Sequence, residues 1–91
     1  AFFDPGQYVD RYCEELGLDS NVREMAHELL EDAEDQDAVI GKSPTGLAAG
    51  AVYWASNQVG NGINQDAIAE VANVSTVTIR NRYQDLAESN S

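Results

Sequence analysis

Apolar side chains recur at three- and four-residue intervals along most of the chain, and no segment alternates as a half-buried strand would. Val9, Tyr12, Cys13 and Leu16 follow i, i+3, i+4, i+7 and predict a first helix. Its start is written in Phe3-Asp4-Pro5-Gly6-Gln7: Asp4 caps, Pro5 suits the first turn, and Gln7 stands three residues after the cap. Gly17 supplies the stop. A second helix is expected from near Ser20, carrying the stripe Val22, Met25, Ala26, Leu29, Leu30 and Ala33 ahead of an acidic tail, EDAEDQD.

The third segment differs in kind. Ser43-Pro44 again reads as cap then proline, but Leu47 to Ala55 is apolar almost all round. In a small protein such a helix must be surrounded by others, and its alanines and glycines let neighbouring backbones come close. It is expected to be the central helix.

Gly60-Asn61-Gly62 then breaks the chain. Ile63 ahead of the cap Asn64 is placed to staple onto Ile68 and open a short fourth helix over 64–72. Asn73-Val74 and a second cap, Ser75, lead into a final helix reaching about Glu88. The expectation is an all-α fold of five helices with the third buried.

The last two helices, joined by about three residues, have the layout of a helix-turn-helix over about 64–88. Ala69 is small where the helices must cross, and Asn73 falls where the turn calls for a left-handed backbone. At 100° per residue, Ile79, Tyr83 and Leu86 share one side of the final helix; Val77, Arg80, Asn81 and Gln84 share nearly the opposite one. The outward N-terminal part of the second helix of such a motif enters the DNA major groove. Arginine there pairs with guanine, and methyl-bearing side chains meet the thymine methyl. Two ordinary packed helices with solvated arginines fit the periodicity equally well.

Charge sharpens the question. The chain has 91 residues and a formal net charge of −11, with 16 acidic and five basic side chains. Twelve of the acids fall in residues 1–41 against Arg11 and Arg23; the remainder of the chain is nearly neutral, with Lys42, Arg80 and Arg82. Scarce lysine with acids spread over two helices reads as a surface kept soluble at very high salt rather than as a docking patch. Length allows one domain. No apolar run approaches the roughly 20 residues of a bilayer-spanning helix, and no signal peptide is apparent. One cysteine, Cys13, allows no internal disulfide and fits a reducing interior.

The runs KSPTGLAAGAVYWAS and INQDAIAEVANVSTVTIRNRYQDL, with the opening DPGQYVDRYCEELGLD, resemble the second cyclin-like repeat of archaeal transcription factor B, the counterpart of eukaryotic initiation factor IIB. The resemblance implies a five-helix cyclin fold spanning residues 1–91 as a single C-terminal repeat. It implies a role in transcription initiation, with promoter DNA, the TATA-binding protein and, through the full-length factor, RNA polymerase as partners. A monomer in the archaeal cytoplasm is expected. Within VTIR, Val77, Thr78 and Arg80 match the family's base-contacting positions, so Arg80 is expected to read a guanine just upstream of the TATA box. Ser75, Asn81 and Gln84 complete the contacting set. Arg82 is expected to serve as a phosphate or structural partner, and Lys42 beside the Ser43 cap to meet the DNA backbone.

Departures from the family pattern matter too. No zinc ribbon and no first repeat are present, so the chain reads as a fragment lacking polymerase recruitment. Gln84-Asp85 is neutral and acidic where relatives are often basic, so phosphate affinity is expected to be weak and to fall further with salt. Weak cation use and high acidity together point to a halophilic archaeon.

Other chemistry is thin. His27 stands alone and reads as a boundary residue; EDAEDQD lacks the order of a calcium loop. Neither a metal, a cofactor nor a catalytic residue is expected, and the chain is expected not to be an enzyme. Tyr53 and Trp54 are expected in the core. The rival reading is an acidic cyclin-like protein-interaction module, its first two helices binding a basic partner beside a helix-turn-helix that does not touch DNA.

Overall fold

The first helix, α1 (Pro5–Leu16), begins where the Asp4 carboxylate accepts a hydrogen bond from the Gly6 N–H at 2.9 Å. It ends where Gly17 enters the left-handed region, at φ 65°, a backbone no side-chain-bearing residue adopts freely. Phe3, ahead of the cap, lies outside the described residues. The computed structural model describes residues 4–35, 41–60 and 62–89.

The second helix, α2 (Ser20–Asp35), buries Val22, Ala26, Leu29, Leu30 and Ala33 as its stripe requires. Its end carries the acidic run expected there. Glu31, Asp32, Glu34 and Asp35 are helical, because Ala33 keeps the apolar stripe going and holds that turn on the core. Gln36 and Asp37 lie outside the described residues.

The third helix, α3 (Pro44–Val59), is buried from Gly46 to Val52. Ser43 holds the N-cap position, but its hydroxyl bonds the Thr45 hydroxyl at 2.9 Å rather than a backbone N–H, so the side-chain cap expected there is not made. Gly60 closes the helix at φ 91°. Ser56, fully buried, donates its hydroxyl to the Tyr53 carbonyl at 2.9 Å and accepts the Ile63 N–H, tying the next loop back onto α3. The remaining elements are α4 (Gln65–Ala72), capped by the Asn64 side chain on the Asp66 N–H at 2.8 Å, and α5 (Thr76–Ser89).

Five helices thus account for the described residues, in the all-α, cyclin-like arrangement the pattern implied, with a helix-turn-helix at the C-terminal end. Of the five, α3 alone touches every other helix; α1, α2, α5 and α4 form a closed ring around it. That arrangement explains why α3 has no polar side along its first turns: each flank meets a neighbour. Ile63 and Ile68 both join the core, and Tyr53 and Trp54 pack half-buried against it. Among the described residues, no helix is long and apolar enough to cross a membrane.

Candidate nucleic-acid interface

Three residues separate α4 from α5, and each has a local job. Asn73 closes α4 in the left-handed region at φ 57°, ψ 45°, the one residue besides glycine with positive φ among those described. Asparagine is the side-chain-bearing residue that tolerates this region best. The Val74 N–H then turns back to the Ala69 carbonyl at 3.1 Å, and Val74 itself packs half-buried on the core. Ser75 starts α5: its hydroxyl accepts the Thr78 N–H at 3.1 Å and lies 3.0 Å from the Thr78 hydroxyl.

The angle of α5 follows from what it buries. Ile79 and Leu86 are fully buried, and Tyr83 sets its ring edge-on against Tyr53 with centroids 5.6 Å apart. Glycine at position 50 makes the close crossing possible: a Cβ there would lie 2.9 Å from both the Arg82 Cβ and the Tyr83 nitrogen. At Gly46 the nearest atom would be the Thr78 methyl, at 3.1 Å. With α5 seated this closely, its opposite side must face outward.

Val77, Arg80, Asn81 and Gln84 are the residues so exposed. Val77 is 53% exposed and is the one large apolar side chain exposed among the described residues. Arg80 forms no ion pair among them. Thr78, Arg82 and Asp85 occupy the flank between this face and α3. The Thr78 methyl lies over Gly46, leaving the side chain half-buried.

Lys42 and Arg82 behave differently from Arg80. The Lys42 Nζ and the Arg82 Nη2 each lie 3.2 Å from the same oxygen, Asp85 Oδ2. All three side chains are one-quarter to one-third exposed, so solvent screens these pairs less than an open surface pair. The Arg82 Nε is buried without a hydrogen-bond partner. Lys42 and the Ser43 hydroxyl, expected at the DNA backbone, thus both hold partners within the fold. Lys42 pairs with Asp85 and the Ser43 hydroxyl with Thr45. Arg82, expected as a phosphate or structural partner, is engaged with Asp85 within the fold. The sequence marked Asp85 as an acidic position weakening phosphate affinity but not its pairing with Lys42; for Arg82, the i, i+3 spacing was the available signal.

The other candidate residues are structural. His27 lies at the boundary, its Nε2 2.8 Å from Asp10 Oδ1, between α1 and α2. Cys13 is buried on the α1 stripe, and desolvation pushes its thiol up to about 11. The described residues hold no group of three or more histidine, cysteine or carboxylate side chains arranged for a metal ion.

The model of the transcription factor TFIIB repeat matches residues 1–89. The chain belongs to the TFIIB repeat family. It is 46% identical over 84 residues to transcription initiation factor IIB of Archaeoglobus fulgidus, covering 92% of this chain and 26% of that protein. To transcription initiation factor IIB 1 of Thermococcus kodakarensis it is 47% identical over 87 residues, covering 96% of this chain and 29% of that protein. To transcription initiation factor IIB 2 of Haloferax volcanii it is 47% identical over 85 residues, 93% of this chain and 26% of that one. This TFIIB repeat therefore spans about a quarter of the length of the relatives it matches.

Proposed function

We propose that the chain is the second repeat of an archaeal transcription initiation factor IIB and that it reads promoter DNA just upstream of the TATA box, in complex with the TATA-binding protein. The observation that carries this is the orientation of α5: Ile79 and Leu86 are fully buried, and Val77 and Arg80 project from the other side. The relatives are transcription initiation factors IIB, which supports a role in initiation. RNA polymerase joins through the rest of the factor. The protein acts by binding and not as an enzyme, as a monomer in the archaeal cytoplasm.

In this reading the first half of α5 enters the major groove. Arg80 donates two hydrogen bonds to guanine O6 and N7 and Val77 meets a thymine methyl, while Thr78, its methyl turned onto Gly46, shapes the contact from the edge of the groove. Asn81 and Gln84 are of the type that pairs with adenine, one turn further along the groove. Ser75 approaches a phosphate at the start of the helix.

The test is binding to a promoter fragment with its TATA-binding protein, at high salt, with the wild type and Arg80→Ala. Loss of about 1–3 kcal/mol of discrimination at a single upstream base is expected. Unchanged preference upstream would reject the reading and leave the acidic α1–α2 face as the functional surface.

We also infer a halophilic source. Glu14, Glu24, Glu28, Glu31 and Glu34 are all exposed, and they are distributed over α1 and α2 rather than gathered at one pocket. A protein working in molar salt gains little from phosphate contacts, whose contribution falls as salt rises. Few free cations and many solvated carboxylates are then compatible with DNA recognition.

A further inference from the structure

Lys42, Arg82 and Asp85 form a cluster at the edge of the recognition face that the base-reading residues do not use. Asp85 follows Gln84 and lies one helical turn beyond Asn81, so its carboxylate borders the surface assigned to DNA. Both cations point at one carboxylate oxygen, each at 3.2 Å. Lys42 is the sole lysine of the chain, so Asp85 neutralises cations the chain has few of.

Geometrically, Asp85 Oδ2 sits where a phosphodiester oxygen would sit between an ammonium and a guanidinium. The guanidinium is also incompletely satisfied, since Arg82 reaches Asp85 through Nη2 while its buried Nε has no partner. Gly46 and Gly50 hold the Arg82 stem in place: Cβ atoms there would lie 3.5 Å from its Cγ and 2.9 Å from its Cβ. The charged head is therefore kept at this edge whatever it pairs with.

We propose that Lys42 and Arg82 constitute a site for a DNA backbone phosphate which Asp85 occupies from within, so that Asp85 sets the chain's phosphate affinity and its salt dependence. The proposal rests on the DNA-binding reading above and adds to it a residue that opposes binding. With the carboxylate present, the cluster carries one net positive charge; with a neutral amide of the same shape, it carries two. Each additional phosphate neutralised steepens the dependence of log K on log salt by about 0.9.

The experiment measures binding of this chain to a mixed-sequence duplex between 50 and 200 mM salt, without the TATA-binding protein. Four proteins are compared: wild type, Asp85→Asn, Lys42→Gln and the double variant. Asp85→Asn is expected to bind more tightly at low salt. Its slope is expected to be steeper by about 0.9, so its advantage over wild type shrinks about 3-fold across that salt range. Lys42→Gln in the wild-type background is expected to leave the slope unchanged, since Asp85 already neutralises that lysine. In the Asp85→Asn background it is expected to remove about 0.9 of slope.

A loss of general negative charge would raise affinity without depending on Lys42, so the double variant isolates the site. If Asp85→Asn gains no affinity, including the case where neither protein binds at low salt, the proposal is overturned. It is overturned equally if Lys42→Gln alone flattens the slope by about 0.9, an outcome readable even where Asp85→Asn fails to fold. Base preference upstream of the TATA box, probed with Arg80→Ala, reports separately on the DNA-reading assignment. Loss of that preference pattern leaves the salt slopes of the Asp85 series to be read by themselves.

Discussion

Asp4 and Cys13 illustrate how far a single residue's chemistry can be read before folding is considered. Asp4 caps as its position before Pro5 implies, since the first amides of any helix need an acceptor. Cys13 could be placed on an apolar stripe, yet the consequence of burial needs the folded surroundings. Desolvation holds its thiol at about 11, against 9.0 for an exposed one, because a thiolate loses its hydration there. The folded state therefore keeps its proton more firmly than the unfolded chain. This contribution to stability is complete below about pH 9 and is lost as pH rises toward 11. The melting temperature is expected to decline over that window, and less so for Cys13→Ala once each protein is referred to its own value at pH 8. Equal declines for both proteins would show that Cys13 is not the group responsible.

Helix α5 is the element on which the DNA-reading surface depends, and its seat is a pair of glycines on α3. Gly50 meets backbone and a Cβ at 2.9 Å, atoms that cannot rotate away. Gly46 meets the tip of Thr78 at 3.1 Å, which can yield by a few tenths of an ångström. Gly50→Ala is expected to cost about 1–3 kcal/mol through overpacking and to displace α5. Gly46→Ala is expected to be milder, because alanine also favours the helix by about 1 kcal/mol over glycine. Chemical denaturation of the two variants checks this; a Gly46→Ala that is the more damaging would contradict the seat described. The sequence already showed that α3 must be crowded, as Leu47 to Ala55 is apolar almost all round and Ala48 to Ala51 are small. It did not show which neighbour each glycine meets, since helical spacing defines faces and not their partners. The turn was more legible: Asn73 in the left-handed region and Ser75 at the helix start are local preferences, decided within a few residues.

At the scale of the whole molecule, charge is the dominant surface property. Nearly all the carboxylates of α1 and α2 are exposed, and the formal charge of −11 is carried on only 91 residues. Self-repulsion of this magnitude opposes the compact state and is screened by salt, with a Debye length of about 10 Å at 0.1 M and 3 Å at 1 M. The melting temperature is expected to rise from low to molar KCl. A flat or falling curve would remove the halophilic reading, while leaving the fold and the α5 surface as they are.

Local patterning was sufficient for five helices, their caps and breaks, the all-α class and the side of α5 that must turn inward. These properties depend on residues within about one or two helical turns of each other, where spacing and chemistry act directly. Packing alone decided the ring of four helices around α3. It also decided the meeting of Lys42 with Asp85, 43 positions apart in the chain. Such pairings depend on crossing angles and close approach between elements, and a one-dimensional order of side chains leaves those undetermined.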